Sequence, residues 1–223
     1  MRKEFSWIIK NDKYRIKNYP NYYFDYIFDL GATFGTFSII MKARNPDARV
    51  IAIEPCHDTF NILQNRVYGL GIEVQNIALG DGRPCYFVDK NNAYRHLCVP
   101  IQSDETSYEV ESKTLTQIFF DSGCSLKDKY FLKIDCEMGE RFMIGDFSAE
   151  KILLNAVQVG LVIHFRNPGT LDHLNYYNYE WNLNYNAYNE WVHDLFGKTH
   201  EIEYYKSRKR RGYGHYCMRR YYG

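Results

Sequence analysis

The chain has 223 residues and six cysteines, Cys56, Cys85, Cys98, Cys124, Cys136 and Cys217, yet no Cys-x-x-Cys pair. Both a zinc ribbon and a dithiol redox site are thereby disfavoured. Reduced, mostly buried thiols are the expectation, although the count alone leaves a disulfide open. Charge of one sign is also lacking, with 28 Lys and Arg against 27 Asp and Glu. The chain as a whole therefore has no strong preference for nucleic acid or membrane, and any such preference is local. No stretch approaches the roughly 18 consecutive apolar residues of a spanning helix. "MRKEFSWIIKNDKYRIKNYP" has no clean apolar run leading to a cleavage site, so a soluble, unsecreted, cytoplasmic protein is expected. There is no internal repeat, and no Gly/Ser-rich or Pro-rich linker. The length favours one domain, read as 25–223 with an extension over 1–24 that packs on it or leads into it. Tyr, Asn, Lys and Ile are over-used, most visibly over 173–191, but an AT-rich genome gives the same bias.

What is present is a repeated pairing of short apolar runs with helix-like segments. "YIFDLG" (26–31), "RVIAIEP" (49–55), "IEVQNIAL" (72–79), "YFLKIDCE" (130–137) and "AVQVGLVIHF" (156–165) are strand candidates. Most are continuous rather than alternating, as expected of strands covered on both faces of a parallel sheet. Helical patterns lie between them. Phe37, Ile40 and Met41 share one side of 35–44. Phe60, Leu63 and Val67 do so in the next segment, with Asp58 as expected N-cap and Gly69 as stop, and Leu115, Ile118 and Phe119 precede Gly123. A later helix is expected over 186–198, followed by two strands flanking "KRRGYG" as an antiparallel hairpin at the sheet edge. The fold class expected is α/β, an open and mostly parallel sheet with helices on both faces and a closing hairpin.

Ligands of such sheets bind beyond the carboxyl ends of the strands. "FDLGATFG" (28–35) sits at one of those ends. Gly31 permits a backbone that a β-carbon obstructs, Gly35 lets the first helix start close to the sheet, and the amides between them are free to face a polar ligand. Nineteen residues after Gly35, Glu54 closes the second strand, where a carboxylate can accept from both ribose hydroxyls. A Gly-x-x-x-Gly turn also occurs where a helix merely packs tightly. Asp29 and Glu54 together favour a cofactor. A dinucleotide fingerprint requires Gly-x-Gly-x-x-Gly, and an acid at Asp29 suits a cationic partner, such as the amino acid portion of S-adenosyl-L-methionine, better than a pyrophosphate.

The order and spacing of "FDLGATFGTFSI", "VIAIEP", "VQNIALGDG", "KTLTQIF" and "FLKIDCEMGE" resemble those of the FkbM-like S-adenosylmethionine-dependent methyltransferases over about residues 25 to 165. The resemblance implies a class I, Rossmann-like, seven-stranded methyltransferase sheet, S-adenosyl-L-methionine as cofactor, and methyl transfer usually to oxygen of a sugar or small hydroxylated molecule. Carried over by position, it implies cofactor contacts at Asp29, Gly31, Ala32, Thr33, Gly35, Glu54, Asn76, Ala78 and Asp135. Asp81 matches the family's "lgd" ending, and Lys133, Asp135, Glu137 and Glu140 match its Lys-Ile-Asp-Val-Glu-Gly-x-Glu signature. This chain departs from the pattern at Thr33 for Asn, Thr116 for Asp, and Met138 and Gly139 for Gly and a small residue. Val162 stands where relatives often carry Glu.

In a strand, Asp135 and Glu137 point to one face, and His164 closes the next strand on the same rim. These three are the candidate catalytic residues. Three roles fit them. Asp135 orients cofactor and hydroxyl while Glu137 or His164 takes the proton; or the trio holds Mg²⁺ or Mn²⁺; or Lys133 and the carboxylates form a structural ion-pair network. No metal is assigned. "KSRKRR" (206–211), with Arg219 and Arg220, is the one concentrated basic patch. It suits a phosphorylated glycan, a nucleotide sugar or RNA, with Tyr213 or Tyr216 for stacking, and equally a solvated turn that protects a sheet edge. Residues 173–191 read as a lid or an irregular connection. The expected activity is O-methylation of a small-molecule or saccharide acceptor. An RNA or nucleotide methyltransferase, a non-catalytic binding protein on the same scaffold and, more distantly, a nicotinamide oxidoreductase are the alternatives.

Overall fold

The structure, a computed structural model, describes residues 12, 14–16, 23–88, 97–99, 107–137, 139–164, 185–206 and 213–221. Five parallel strands carry the fold: β1 (Tyr26–Leu30), β2 (Arg49–Ile53), β3 (Ile72–Gln75), then β9 (Tyr130–Ile134) and β10 (Gln158–His164). The strands β11 (His200–Lys206) and β12 (Tyr213–Arg220) close the sheet, which has the order β11-β12-β10-β9-β1-β2-β3. β12 runs antiparallel to both of its neighbours. This is a Rossmann-like, seven-stranded, mostly parallel architecture of the kind the resemblance implies, with an antiparallel C-terminal pair at one edge.

The continuous apolar runs are explained by two cores. Phe28, Leu30, Ile51, Leu132, Ile134, Val159 and Leu161 face α3 (Leu115–Asp121), α4 (Phe147–Asn155) and α5 (Tyr185–Phe196). Ile27, Val50, Phe131 and Val162 face α1 (Thr36–Arg44) and the buried Tyr14, Ile16 and Phe24. Both faces of each central strand are therefore dry, which removes any period-2 alternation. The remaining helix of the sheet's flank is α2 (His57–Val67).

Several local expectations change. The run 72–79 is not one strand: β3 ends at Gln75, and β4 (Ala78–Leu79) leaves the sheet to pair with β8 (Ser112–Lys113). The break is at Asn76, whose Nδ2 donates to the carbonyls of Glu54 and Pro55 at 2.8 and 3.1 Å. Between β4 and β8, β5 (Cys85–Val88) is flanked by β6 (Leu97–Val99) and β7 (Tyr108–Val110) in a small antiparallel sheet that sequence reasoning missed. It also missed α4, capped by Asp146 through the amides of Ser148 and Ala149. Asp58 lies in the first turn of α2, and the N-cap is Cys56 with no side-chain bond. Among the described residues no helix is long and apolar enough to cross a membrane.

Candidate active site

Gly31, Thr33 and Gly35 all have left-handed backbones, with φ of 79°, 52° and 72°. Gly31 has no alternative, because a β-carbon there would lie 2.1 Å from the carbonyl oxygen of Asp135. The amides of Gly31, Ala32, Thr33 and Gly35 bond within the protein. Gly31 and Ala32 both donate to the Ile53 carbonyl, Gly35 donates to that of Ala32, and Thr33 donates to Glu54 Oε2 at 2.9 Å. The last bond also accounts for a non-glycine residue in the left-handed region. Ala32 packs with Ala52, Leu63 and Val67, and Ala78 with Cys56, Cys85, Phe87 and Val110, so both line the core behind the strand tips.

Asp29 also lies behind the tips. Its carboxylate is fully buried, takes a hydrogen bond from Ser38 Oγ at 2.6 Å and pairs with Lys133 Nζ at 2.8 Å. Lys133 Nζ additionally donates to the Gly31 carbonyl at 2.6 Å. Burial alone would lower the Lys133 pKa, but Asp29 and then Asp135 outweigh it and raise it. Asp29 is thus paired within the fold, and through Lys133 it supports the glycine turn from below.

Glu54 is different. It is buried at the tip of β2, and burial pushes its pKa from 4.5 up to about 7 even though the Cys56 and Thr33 amides hold it back. The Cys56 amide donates to Oε1 and the Thr33 amide donates to Oε2. A carboxylate has about four acceptor positions, so about two remain for outside donors.

β9 ends at Ile134, leaving Asp135 and Glu137 beyond the strand, with Glu137 at φ 45°. Strand alternation therefore does not bring them together; the left-handed bend does. His164 Nε2 lies 3.5 Å from Asp135 Oδ1 and 3.4 Å from Glu137 Oε1. On the other side of the ring, Glu140 Oε1 lies 3.0 Å from His164 Nδ1 and accepts the His164 amide at 2.7 Å. Burial alone would lower the His164 pKa; Glu140 first, then Asp135 and Glu137, outweigh it and raise it. The imidazole is therefore biased toward its charged form. Glu140 and Tyr14 are the members of this cluster that sequence reasoning left out of the site. Glu140 stands in the quoted signature, three residues past Glu137, whereas Tyr14 carries no local signal. Among the described residues no three His, Cys, Asp or Glu side chains are arranged to hold a metal ion.

The hairpin register pairs Tyr213 with His164 and Arg219 with Gln158, at opposite ends of β12. Lys206 and Tyr213, the described ends of β11 and β12, therefore lie at the His164 rim, whereas Arg219 and Arg220 lie at the other, with Arg219 bound to Glu201 at 2.6 Å. Tyr216 is buried in the main core, away from any stacking role. Residues 207–211 of the basic run, and 173–184 of the lid candidate, lie outside the described residues, as do Met138 and the Tyr213 side chain.

Comparison with protein families matches residues 29–187 to the methyltransferase FkbM domain. The chain belongs to the FkbM methyltransferase family. No curated protein matches it in sequence. Among solved structures it is similar to fibrillarin from Aeropyrum pernix, crystallised with natively bound S-adenosyl-L-methionine. The identity is 13%, the TM-score 0.50, and the match covers 94% of this chain and 74% of that one. Precorrin-6y C5,15-methyltransferase from Geobacter metallireducens is 11% identical (TM-score 0.46; 96% and 86% covered). An O-methyltransferase family protein from Burkholderia thailandensis is 9% identical (TM-score 0.41; 96% and 56% covered). At these identities the likeness concerns the fold alone.

The cofactor of this FkbM-family chain is S-adenosyl-L-methionine, and the donor set fits it. Glu54 retains acceptor capacity for a vicinal diol, and Asp135 and Glu137, with side chains 22% and 25% exposed, offer negative charge to a cation.

Proposed function

We propose that the chain is an O-methyltransferase for a hydroxylated small molecule or saccharide. Bound S-adenosyl-L-methionine supplies a methyl group on a good leaving group, so the chain's own work is placement and proton removal. Glu54 holds the ribose hydroxyls. Asp135 takes the charged amino acid end and orients the acceptor. Glu137 accepts the hydroxyl proton as the oxygen–methyl bond forms, and His164, kept charged by Glu140, fixes the carboxylates between which the acceptor enters. The observation that carries this reading is the pairing of two partly exposed carboxylates with one buried imidazole that is biased away from acting as the base itself. An alcohol needs such a base, whereas a neutral amine needs it less.

The test is an acceptor screen with the wild type and Glu137→Gln. Turnover on hydroxylated acceptors should fall by about 10²- to 10⁴-fold in the variant, with S-adenosylhomocysteine affinity retained. Unchanged turnover removes Glu137 from the role. The ends of β11 and β12 at the His164 rim, Lys206 and Tyr213, favour one second reading, an RNA or nucleotide substrate held by the basic run between them in sequence. Methylation confined to RNA, with binding that falls steeply with salt, selects it.

A further inference from the structure

Tyr14 precedes the matched FkbM domain, which begins at residue 29. Its hydroxyl nevertheless donates to Asp135 Oδ2 at 2.8 Å. The ring is buried against Phe37, edge-on with centroids 5.2 Å apart, and Lys133 Nζ lies 5.8 Å from its centroid. Gln158 Nε2 donates to the Tyr14 carbonyl at 2.7 Å, and Arg15 pairs with Glu203 on β11. The sheet also leaves room for this ring. Gly160 lies within the fully buried β10, and a β-carbon there would approach Tyr14 Cδ1 to 2.8 Å. Packing alone needs only a phenyl group; what the phenol adds is one donor, delivered to a carboxylate at the site. Burial, and after it the Asp135 charge, raise the phenol's pKa well above its ordinary value, so it stays a donor across the working range.

We propose that Tyr14 is a positioning residue of the methyl-transfer site: by holding Asp135 Oδ2 it fixes the carboxylate that faces the cofactor's amino acid end, so that docking of the preceding segment tunes the site. The inference rests on the cofactor assignment above. Oδ1 of the same carboxylate lies toward His164, so the two partners together leave Asp135 one orientation. Without the phenol, the carboxylate loses the donor that fixes Oδ2.

The experiment is calorimetric titration of the full chain with S-adenosylhomocysteine and with 5′-methylthioadenosine, which lacks the amino acid end. Tyr14→Phe should weaken S-adenosylhomocysteine about tenfold, the scale of one hydrogen bond to a charged group. It should leave 5′-methylthioadenosine affinity unchanged. Gly160→Ala, which displaces the ring without touching its hydroxyl, should reproduce the selective loss. Equal weakening of both ligands by Tyr14→Phe, or no change in either, overturns the inference. A wild-type chain that binds neither ligand overturns the cofactor assignment, and the inference with it.

Discussion

Lys133 Nζ and Asp29 Oδ1 meet at 2.8 Å, with side chains 6% and 0% exposed, beneath the glycine turn at the tip of β1. Removing one partner of a buried pair leaves an uncompensated charge, which costs roughly 3–5 kcal/mol, far more than the pair contributes over an apolar replacement. Lys133→Met should therefore lower the unfolding free energy by about that amount in urea denaturation. The double variant Asp29→Asn/Lys133→Met should recover most of the loss. A single variant as stable as the wild type would mean that water reaches Asp29.

Gly31 and Gly69 test a different term. Both have left-handed φ, 79° and 76°, but a β-carbon at Gly31 meets the Asp135 carbonyl oxygen at 2.1 Å, whereas at Gly69 it meets nothing within 4 Å. Gly69→Ala should cost about 1–2 kcal/mol, the left-handed penalty alone. Gly31→Ala adds overpacking and should cost ~2–5 kcal/mol. The obstructing atom is backbone of a site residue, so cofactor affinity should fall in Gly31→Ala and not in Gly69→Ala. Equal stability losses would show that β1 and β9 separate easily at their tips.

The parallel sheet was legible because burial on both faces leaves runs such as "RVIAI" without alternation, and the glycine turn and Glu54 were legible because they end such runs. The same continuity hid the break at Asn76, where a side-chain amide, not a glycine or proline, turns the chain. In β4 to β8 the strands are two to four residues long, too short for any period to register. Helix α4 announces itself only through Asp146 and a few apolar positions, Ala149, Ile152 and Leu153. In the site, Asp135, Glu137 and His164 were readable from strand ends. The orientation of Asp29 was not, since a strand-end acid looks the same whether it faces ligand or a buried lysine. Tyr14 and Asp135 are 121 residues apart, and no local pattern links them.

Glu54 gives cofactor binding a pH dependence whose sign can be stated. In the free chain its pKa rises from 4.5 to about 7 through burial. Two hydroxyl donors on the carboxylate favour its ionised form, so binding must expel the proton wherever the free group still carries it. Affinity for S-adenosylhomocysteine should therefore climb from about pH 5 to about pH 7, by as much as tenfold per unit, and level off above that. Below the plateau, calorimetry in buffers of different ionisation enthalpy should detect close to one proton released. Stability of the free chain carries the opposite slope. The folded pKa is above the unfolded one, so this contribution is complete below about pH 4.5 and is lost as the pH rises through about 7. Glu54→Gln should abolish both slopes and weaken the ligand at pH 8. A wild type whose affinity is flat across this window, with no proton released, would mean that Glu54 is already ionised in the free chain or lies outside the ribose contact; loss of affinity in Glu54→Gln at pH 8 selects the first.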